Sequence, residues 1–139
     1  MTRELPLILI ADDDPDLRQM LRLLLDDMVC EIIEAHDGAH ALELIITEHP
    51  NLVILDVMMP GLTGWEVLRY VRGKSAYDDV GVLMLTGIGE TLNELSSPMY
   101  GADDFIDKPF KAQALIYKIR RILSKRGSHT EHGSNPPKQ

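Results

Sequence analysis

The chain has 139 residues, 45% of them hydrophobic, and a formal net charge of −8. That length suits one soluble domain able to bury about two-thirds of its unfolded surface, no apolar run approaches the roughly 20 residues that span a bilayer, and Met1-Thr2-Arg3-Glu4 leads into an apolar stretch too soon cut by Asp12 for a signal peptide. The acidic balance argues against nonspecific nucleic-acid binding, the default location is cytoplasmic, and Cys30, the single cysteine, excludes an internal disulfide or cysteine-rich metal site and reads as a small buried hydrophobe.

Five short apolar runs alternate with five stretches of helical period, the pattern of successive βα units around a parallel sheet. The predicted strands cover residues 7–10, 31–34, 52–55, 82–85 and 104–106. The first, third and fourth are almost wholly apolar, as strands buried on both faces should be. Glu31-Ile32-Ile33-Glu34 carries charge at both ends and belongs at a sheet edge.

The helices are marked by their starts. Asp14-Pro15-Asp16 supplies an N-cap, a first-turn proline and a first-turn acid, after which Leu17, Met20, Leu21, Leu24 and Met28 form an apolar stripe. Asp37-Gly38 opens a second helix with Ala41, Leu42, Ile45 and Ile46 on one face. Thr63-Gly64-Trp65-Glu66 fits a capping box, and Leu68 and Val71 carry that helix inward. The fourth stretch, residues 90–100, contains Ser96-Ser97-Pro98, so the sequence predicts a short, kinked or mobile element. Leu115, Ile119, Ile122 and Leu123 make the stripe of the fifth. The basic residues Lys111, Lys118, Arg120, Arg121, Lys125 and Arg126 gather there, as a solvated face that suits the helix dipole or as a partner-binding face. Residues 126–139 hardly contain an apolar group and read as a disordered tail or the start of a linker, leaving 5–125 as the folded domain.

The chemistry-bearing residues sit at strand ends, where open parallel sheets bind ligands. Asp12 and Asp13 follow the first strand, Asp56 ends the third, Thr86 follows the fourth and Lys108 the fifth. Three carboxylates within about 4 Å would repel by several kcal/mol even at an effective dielectric near 20, so the cluster asks for a cation. Mg²⁺, which takes one or two carboxylates beside a phosphate, suits it best. Asp56 can then act as a nucleophile toward a phosphoryl group neutralised by the metal and by Lys108, with the Thr86 hydroxyl bonding one oxygen.

Asp12-Asp13, Val53-Ile54-Leu55-Asp56-Val57-Met58-Met59-Pro60-Gly61, Thr86-Gly87 and Gly101-Ala102-Asp103-Asp104-Phe105-Ile106-Asp107-Lys108-Pro109-Phe110 stand in the order and spacing of a known family. The chain resembles the receiver domain of two-component response regulators, the CheY-like superfamily. The resemblance implies a flavodoxin-like (βα)5 fold with a doubly wound parallel sheet of order 2-1-3-4-5, two helices on one face and three on the other. It also implies that Asp56 is the phosphoacceptor and that Asp13, Asp56 and the Met58 backbone carbonyl ligate Mg²⁺, with Asp12 acting through a water on the metal. Thr86 and Phe105 match the switch pair, and the Lys108-Pro109 bond is expected to be cis. The phosphoryl donor would be a sensor histidine kinase or phosphotransfer protein. Phosphorylation would shift an existing equilibrium of the fourth helix, fifth strand and fifth helix toward a partner-binding form. The output partner is not legible. His36, His40 and His49 read as ordinary surface or loop residues, with no relay role.

Two departures matter. Met58 and Ile88 occupy the positions that tune acyl-phosphate lifetime in this family, and neither side chain can hydrogen-bond an attacking water, which predicts slow self-dephosphorylation. Asp103, Asp104 and Lys118 resemble parts of the charge network through which the DNA-binding winged-helix branch forms homodimers, whereas Glu94 and Met99 depart from it. Phe105 lacks a tyrosine's hydroxyl and can only fill space. Two other readings compete: a receiver-fold interaction module that signals without phosphate, and a phosphotransferase of the haloacid-dehalogenase type. The latter needs a second acid two residues after the nucleophile, where this chain has Met58.

Overall fold

A computed structural model describes residues 4–87 and 101–127. Five strands form one parallel sheet: β1 Leu7–Ala11, β2 Glu31–Ala35, β3 Leu52–Asp56, β4 Gly81–Thr86 and β5 Asp104–Asp107, in the order β2-β1-β3-β4-β5. The helices are α1 Pro15–Leu24, α2 Gly38–Glu48, α3 Gly64–Arg72 and α4 Ala112–Ile122, the last running into a π turn over Leu123–Gly127. The predicted fourth helical stretch, with Ile88, Glu94 and Met99, lies outside the described residues, so α4 corresponds to the fifth stretch of the sequence.

Alternation along the strands sorts the core into two layers. Ile8 and Ile10 face one side with Leu21 and Leu25 of the α1 region and Leu115, Ile119 and Ile122 of α4. Leu9 and Ala11 face the other, with Ala41 and Ile45 of α2 and Val67, Leu68 and Val71 of α3. Each fully buried aliphatic side chain contributes about 1.5–3 kcal/mol, and both faces of β1, β3 and β4 are covered in this way. β2, charged at Glu31 and Glu34, sits at the edge as its sequence predicts.

The predicted caps are present. The Asp14 carboxylate accepts from Asp16 N–H, that of Asp37 from His40 N–H, and Thr63 and Glu66 form the reciprocal capping box. The stripes need correction. α1 ends at Leu24, so Met28 lies beyond it; Met20 is 41% exposed whereas Leu25, absent from the predicted stripe, is 1% exposed. On α2, Ile46 is 46% exposed and turns away from Ala41 and Ile45. The packed faces are formed by Leu17, Leu21, Leu24 and Leu25 on one side of the sheet and by Ala41, Leu42 and Ile45 on the other, and Met20 and Ile46 fall outside them. Cys30 is half-buried against the α1 layer rather than enclosed.

All five strands run one residue further at their carboxyl ends than predicted, so Asp56 and Thr86 are the last rungs of β3 and β4, and Asp107 becomes the last rung of β5. The register pairs Asp56 with Leu85 and Thr86 with Asp107.

At the opposite end of the sheet, Asp103 fastens several elements. Its carboxylate accepts from Arg72 of α3 at 3.1 Å, from Arg126 of the π turn at 2.5 Å and from the Val82 backbone N–H at 2.8 Å. Arg72 also donates to the Gly101 carbonyl at 2.7 Å, and Arg126 to that of Asp78. Two of the six clustered basic residues are thereby engaged with the body of the domain, since Lys118 also pairs with Asp104 at 3.1 Å. No helix among the described residues is long and apolar enough to cross a membrane.

Candidate functional site

The carboxyl ends of β1, β3 and β5 bring Asp12, Asp13, Asp56 and Lys108 together. Asp12 is 1% exposed and Asp56 3% exposed, whereas Asp13 is exposed. The ligand oxygens of the three aspartates lie within 4.8 Å of one another, a group suited to a metal ion. Lys108 Nζ stands 3.0 Å from Asp56 Oδ1 and 3.9 Å from Asp12 Oδ2, and the Lys108-Pro109 peptide bond is cis.

Burial sets the electrostatics. Desolvation pushes the Asp12 carboxyl up to about 6, a rise opposed by the Asp14 backbone N–H and reinforced by the Asp56 charge. Asp56 is also raised, by burial first, while the hydrogen bond and charge of Lys108 pull it down and the Met58 backbone N–H adds to that pull. Asp12 Oδ1 accepts from Asp14 N–H at 2.9 Å, but Asp12 Oδ2 has no hydrogen-bond partner among the described residues. A buried carboxylate oxygen left this way is costly, and a hard cation with oxygen preference is the partner that would relieve it. The donor set of hard carboxylates, without sulfur or imidazole, fits Mg²⁺ chemistry.

The loop after β3 is shaped by close approach. A Cβ on Gly64 would meet the Asp56 carbonyl oxygen at 2.3 Å, so only glycine lets the start of α3 fold back over the end of β3. Gly64 N–H donates to the Val57 carbonyl at 2.9 Å, closing that loop beside the carboxylates. Met58 protrudes from it, 61% exposed, while Met59 is buried.

Thr86 is fully buried, and its hydroxyl donates to Asp107 Oδ1 at 2.5 Å with the Ile106 carbonyl at 3.3 Å. Phe105 is half-buried, packs against the α2 and α3 core layer, and has its ring centroid 6.3 Å from that of Trp65 on α3. The sequence-predicted residues Asp12, Asp13, Asp56 and Lys108 are thus brought into one cluster. Ile88, assigned to acyl-phosphate lifetime, lies outside the described residues. Asp107 was not singled out by the sequence, because β5 was expected to stop at Ile106; extending the strand by one residue in parallel register would have set it opposite Thr86.

His36 and His40 stack with centroids 4.3 Å apart at the start of α2, and His49 at its end contacts Asp79 at 2.9 Å. None of the three joins the carboxylate cluster.

Comparison with known proteins agrees with this arrangement. The family profile described as the response regulator receiver domain matches residues 8–120. The probable transcriptional regulator ycf27 of Galdieria sulphuraria is 41% identical over 116 residues, covering 84% of this chain and 44% of that protein. Response regulator MprA of Mycobacterium tuberculosis is 39% identical, with 84% and 50% covered. The chain therefore spans about half the length of the curated relatives it matches. Among solved structures, chemotaxis protein CheY4 of Vibrio cholerae superposes with a TM-score of 0.77 at 34% identity, covering 86% of this chain and 99% of that one.

Proposed function

From the premise that this chain belongs to the response regulator receiver domain family, we propose that it accepts a phosphoryl group on Asp56 and switches partner binding in a two-component phosphorelay. The observation that carries this reading is the Lys108 ammonium 3.0 Å from the Asp56 carboxylate at the end of a buried strand, beside an Asp12 oxygen with no partner among the described residues.

Asp56 Oδ forms the new bond to phosphorus while the donor's phosphorus–nitrogen bond breaks, and the departing imidazole of a sensor histidine kinase or phosphotransfer protein keeps the electron pair and takes up a proton. Asp12, Asp13, Asp56 and the Met58 backbone carbonyl would hold Mg²⁺. Bound there, the ion supplies positive charge against the three carboxylates and the transferred phosphoryl oxygens. Lys108 neutralises a further phosphoryl oxygen. Thr86 then turns its hydroxyl to the phosphoryl group, and Phe105 closes behind it as a space-filling ring. The receiver unit occupies residues 5–125 together with the anchored end of the π turn at Arg126 and Gly127, the remainder to 139 being a tail or the start of a linker to an output effector, and the protein works in the cytoplasm. A homodimer through the fourth helical stretch, β5 and α4 would have to share the Asp104–Lys118 pair that is closed within one chain; sedimentation with and without a phosphoryl mimic tests it.

The decisive experiment titrates beryllofluoride with Mg²⁺ into wild type and Asp56→Asn. Saturable binding in wild type alone is expected. Binding by neither would favour a phosphate-independent interaction module, and multiple turnover of a foreign phosphoester would indicate an enzyme. Since neither Met58 nor Ile88 can hydrogen-bond an attacking water, the acyl phosphate persists. A lifetime of seconds, unchanged in Met58→Asn, would contradict that.

A further inference from the structure

A threonine hydroxyl has one proton to give, and that of Thr86 is committed to β5. Oγ1 lies 2.5 Å from Asp107 Oδ1, with the Ile106 carbonyl as a longer second acceptor at 3.3 Å. The shorter distance is that of a charge-assisted bond from hydroxyl to carboxylate, roughly twice as strong as one between neutral groups. It spans the last rung of the β4–β5 pairing, where Thr86 and Asp107 are register partners. The backbone tightens the same rung, since Lys108 N–H donates to the Thr86 carbonyl at 2.7 Å.

We propose that Asp107 is a positioning residue of the switch: it holds the Thr86 hydroxyl on β5 in the unphosphorylated protein and competes with a phosphoryl group on Asp56 for that proton. The inference rests on the reading of Asp56 and Thr86 given above. Both acceptors are anionic and the donor has a single proton, so the two bonds exclude each other. The β-branched side chain has few χ1 states, which makes the change a jump between two acceptors and not a graded drift. Adjacent residues at the end of β5 then oppose each other: Lys108 draws the phosphoryl group toward the site, and Asp107 withholds the hydroxyl that would answer it. The resting state is favoured until the phosphoryl group is in place.

The test measures Mg²⁺-dependent beryllofluoride affinity of the full chain in wild type, Asp107→Ala, Asp107→Asn, Thr86→Ala and the double variant Thr86→Ala/Asp107→Ala. Asp107→Ala should bind about three- to tenfold more tightly than wild type. Asp107→Asn should fall between them, because its amide oxygen still accepts a weaker bond. Removing Asp107 in the Thr86→Ala background should change nothing, an outcome that a merely structural or repulsive role would not produce. Fluorescence of Trp65, the single tryptophan and a neighbour of the Phe105 ring, reports on the same transition and on folding. Equal affinity in wild type and Asp107→Ala overturns the proposal while leaving the function of Asp56 intact, and so does tightening that survives in the Thr86→Ala background. Absence of Asp56-dependent binding in wild type overturns both readings.

Discussion

Two aspartates, one at each end of the same sheet, are equally hidden from water and treated in opposite ways. Asp103, where the strands begin, has a side chain 3% exposed and receives Arg72, Arg126 and the Val82 N–H. Asp12, where the strands end, is 1% exposed, yet one of its oxygens has no hydrogen-bond partner among the described residues and the Lys108 ammonium stands 3.9 Å away. The first charge is spent on holding α3, β4 and the π turn together. The second is kept under tension, at the place where the proposed cation and phosphoryl group would arrive. A buried charge with its partners built in is structural, and one without them points to chemistry.

The largest effect should come from breaking the satisfied end. Asp103→Ala strands the half-buried Arg72 guanidinium and should cost about 3–5 kcal/mol in urea unfolding; a loss below about 1 kcal/mol would show that the network is ornamental. Asp12→Asn should act in the opposite direction. With chelator present it removes an uncompensated buried charge while an amide oxygen can still accept from Asp14 N–H, so the protein should gain about 1–3 kcal/mol and at the same time lose Mg²⁺ affinity. A destabilised Asp12→Asn would erase the contrast between the two ends.

Arg126→Ala leaves Asp103 with Arg72 and Val82, so about 1–2 kcal/mol is expected from the same unfolding measurement. The smallest effect belongs to a carboxylate that is neither buried nor orphaned. Arg22, with Arg18, holds Glu34 below its ordinary 4.5. The folded protein therefore keeps that group ionised where the unfolded chain would take up a proton, and the contribution is whole above about pH 4.5 and lost as pH falls through the folded value. With the Glu34 side chain 30% exposed, the stability difference between wild type and Glu34→Gln should stay below about 1 kcal/mol at pH 7 and vanish at the acid end. A difference that grows on acidification would reverse the sign assigned to it.

The candidate site was more legible in the sequence than the network that braces the domain. Asp12, Asp56 and Lys108 each follow an apolar run, so their placement at one edge follows from strand direction alone. Asp103 meets Arg72 and Arg126 across 31 and 23 residues, and such pairings depend on how α3 and the π turn cross the sheet, which local pattern does not encode. The same limit explains Met20 and Leu25: both fit the period of α1, and only the angle at which the helix lies on the sheet chooses between them. Asp107 fell between these cases, since a shift of one residue in the predicted end of β5 was enough to hide its register with Thr86.

The anchoring of Arg126 sets the brace of the domain apart from its candidate site. β3 is five residues long, so the fastening point on Asp103 and the mouth at Asp56 are separated by about 16 Å of strand. The π turn therefore closes at the floor of the molecule, while the carboxylate cluster lies at its roof. The brace of Asp103, Arg72 and Arg126 and the cluster of Asp12, Asp13, Asp56 and Lys108 share no side chain, so either can be altered without dismantling the other.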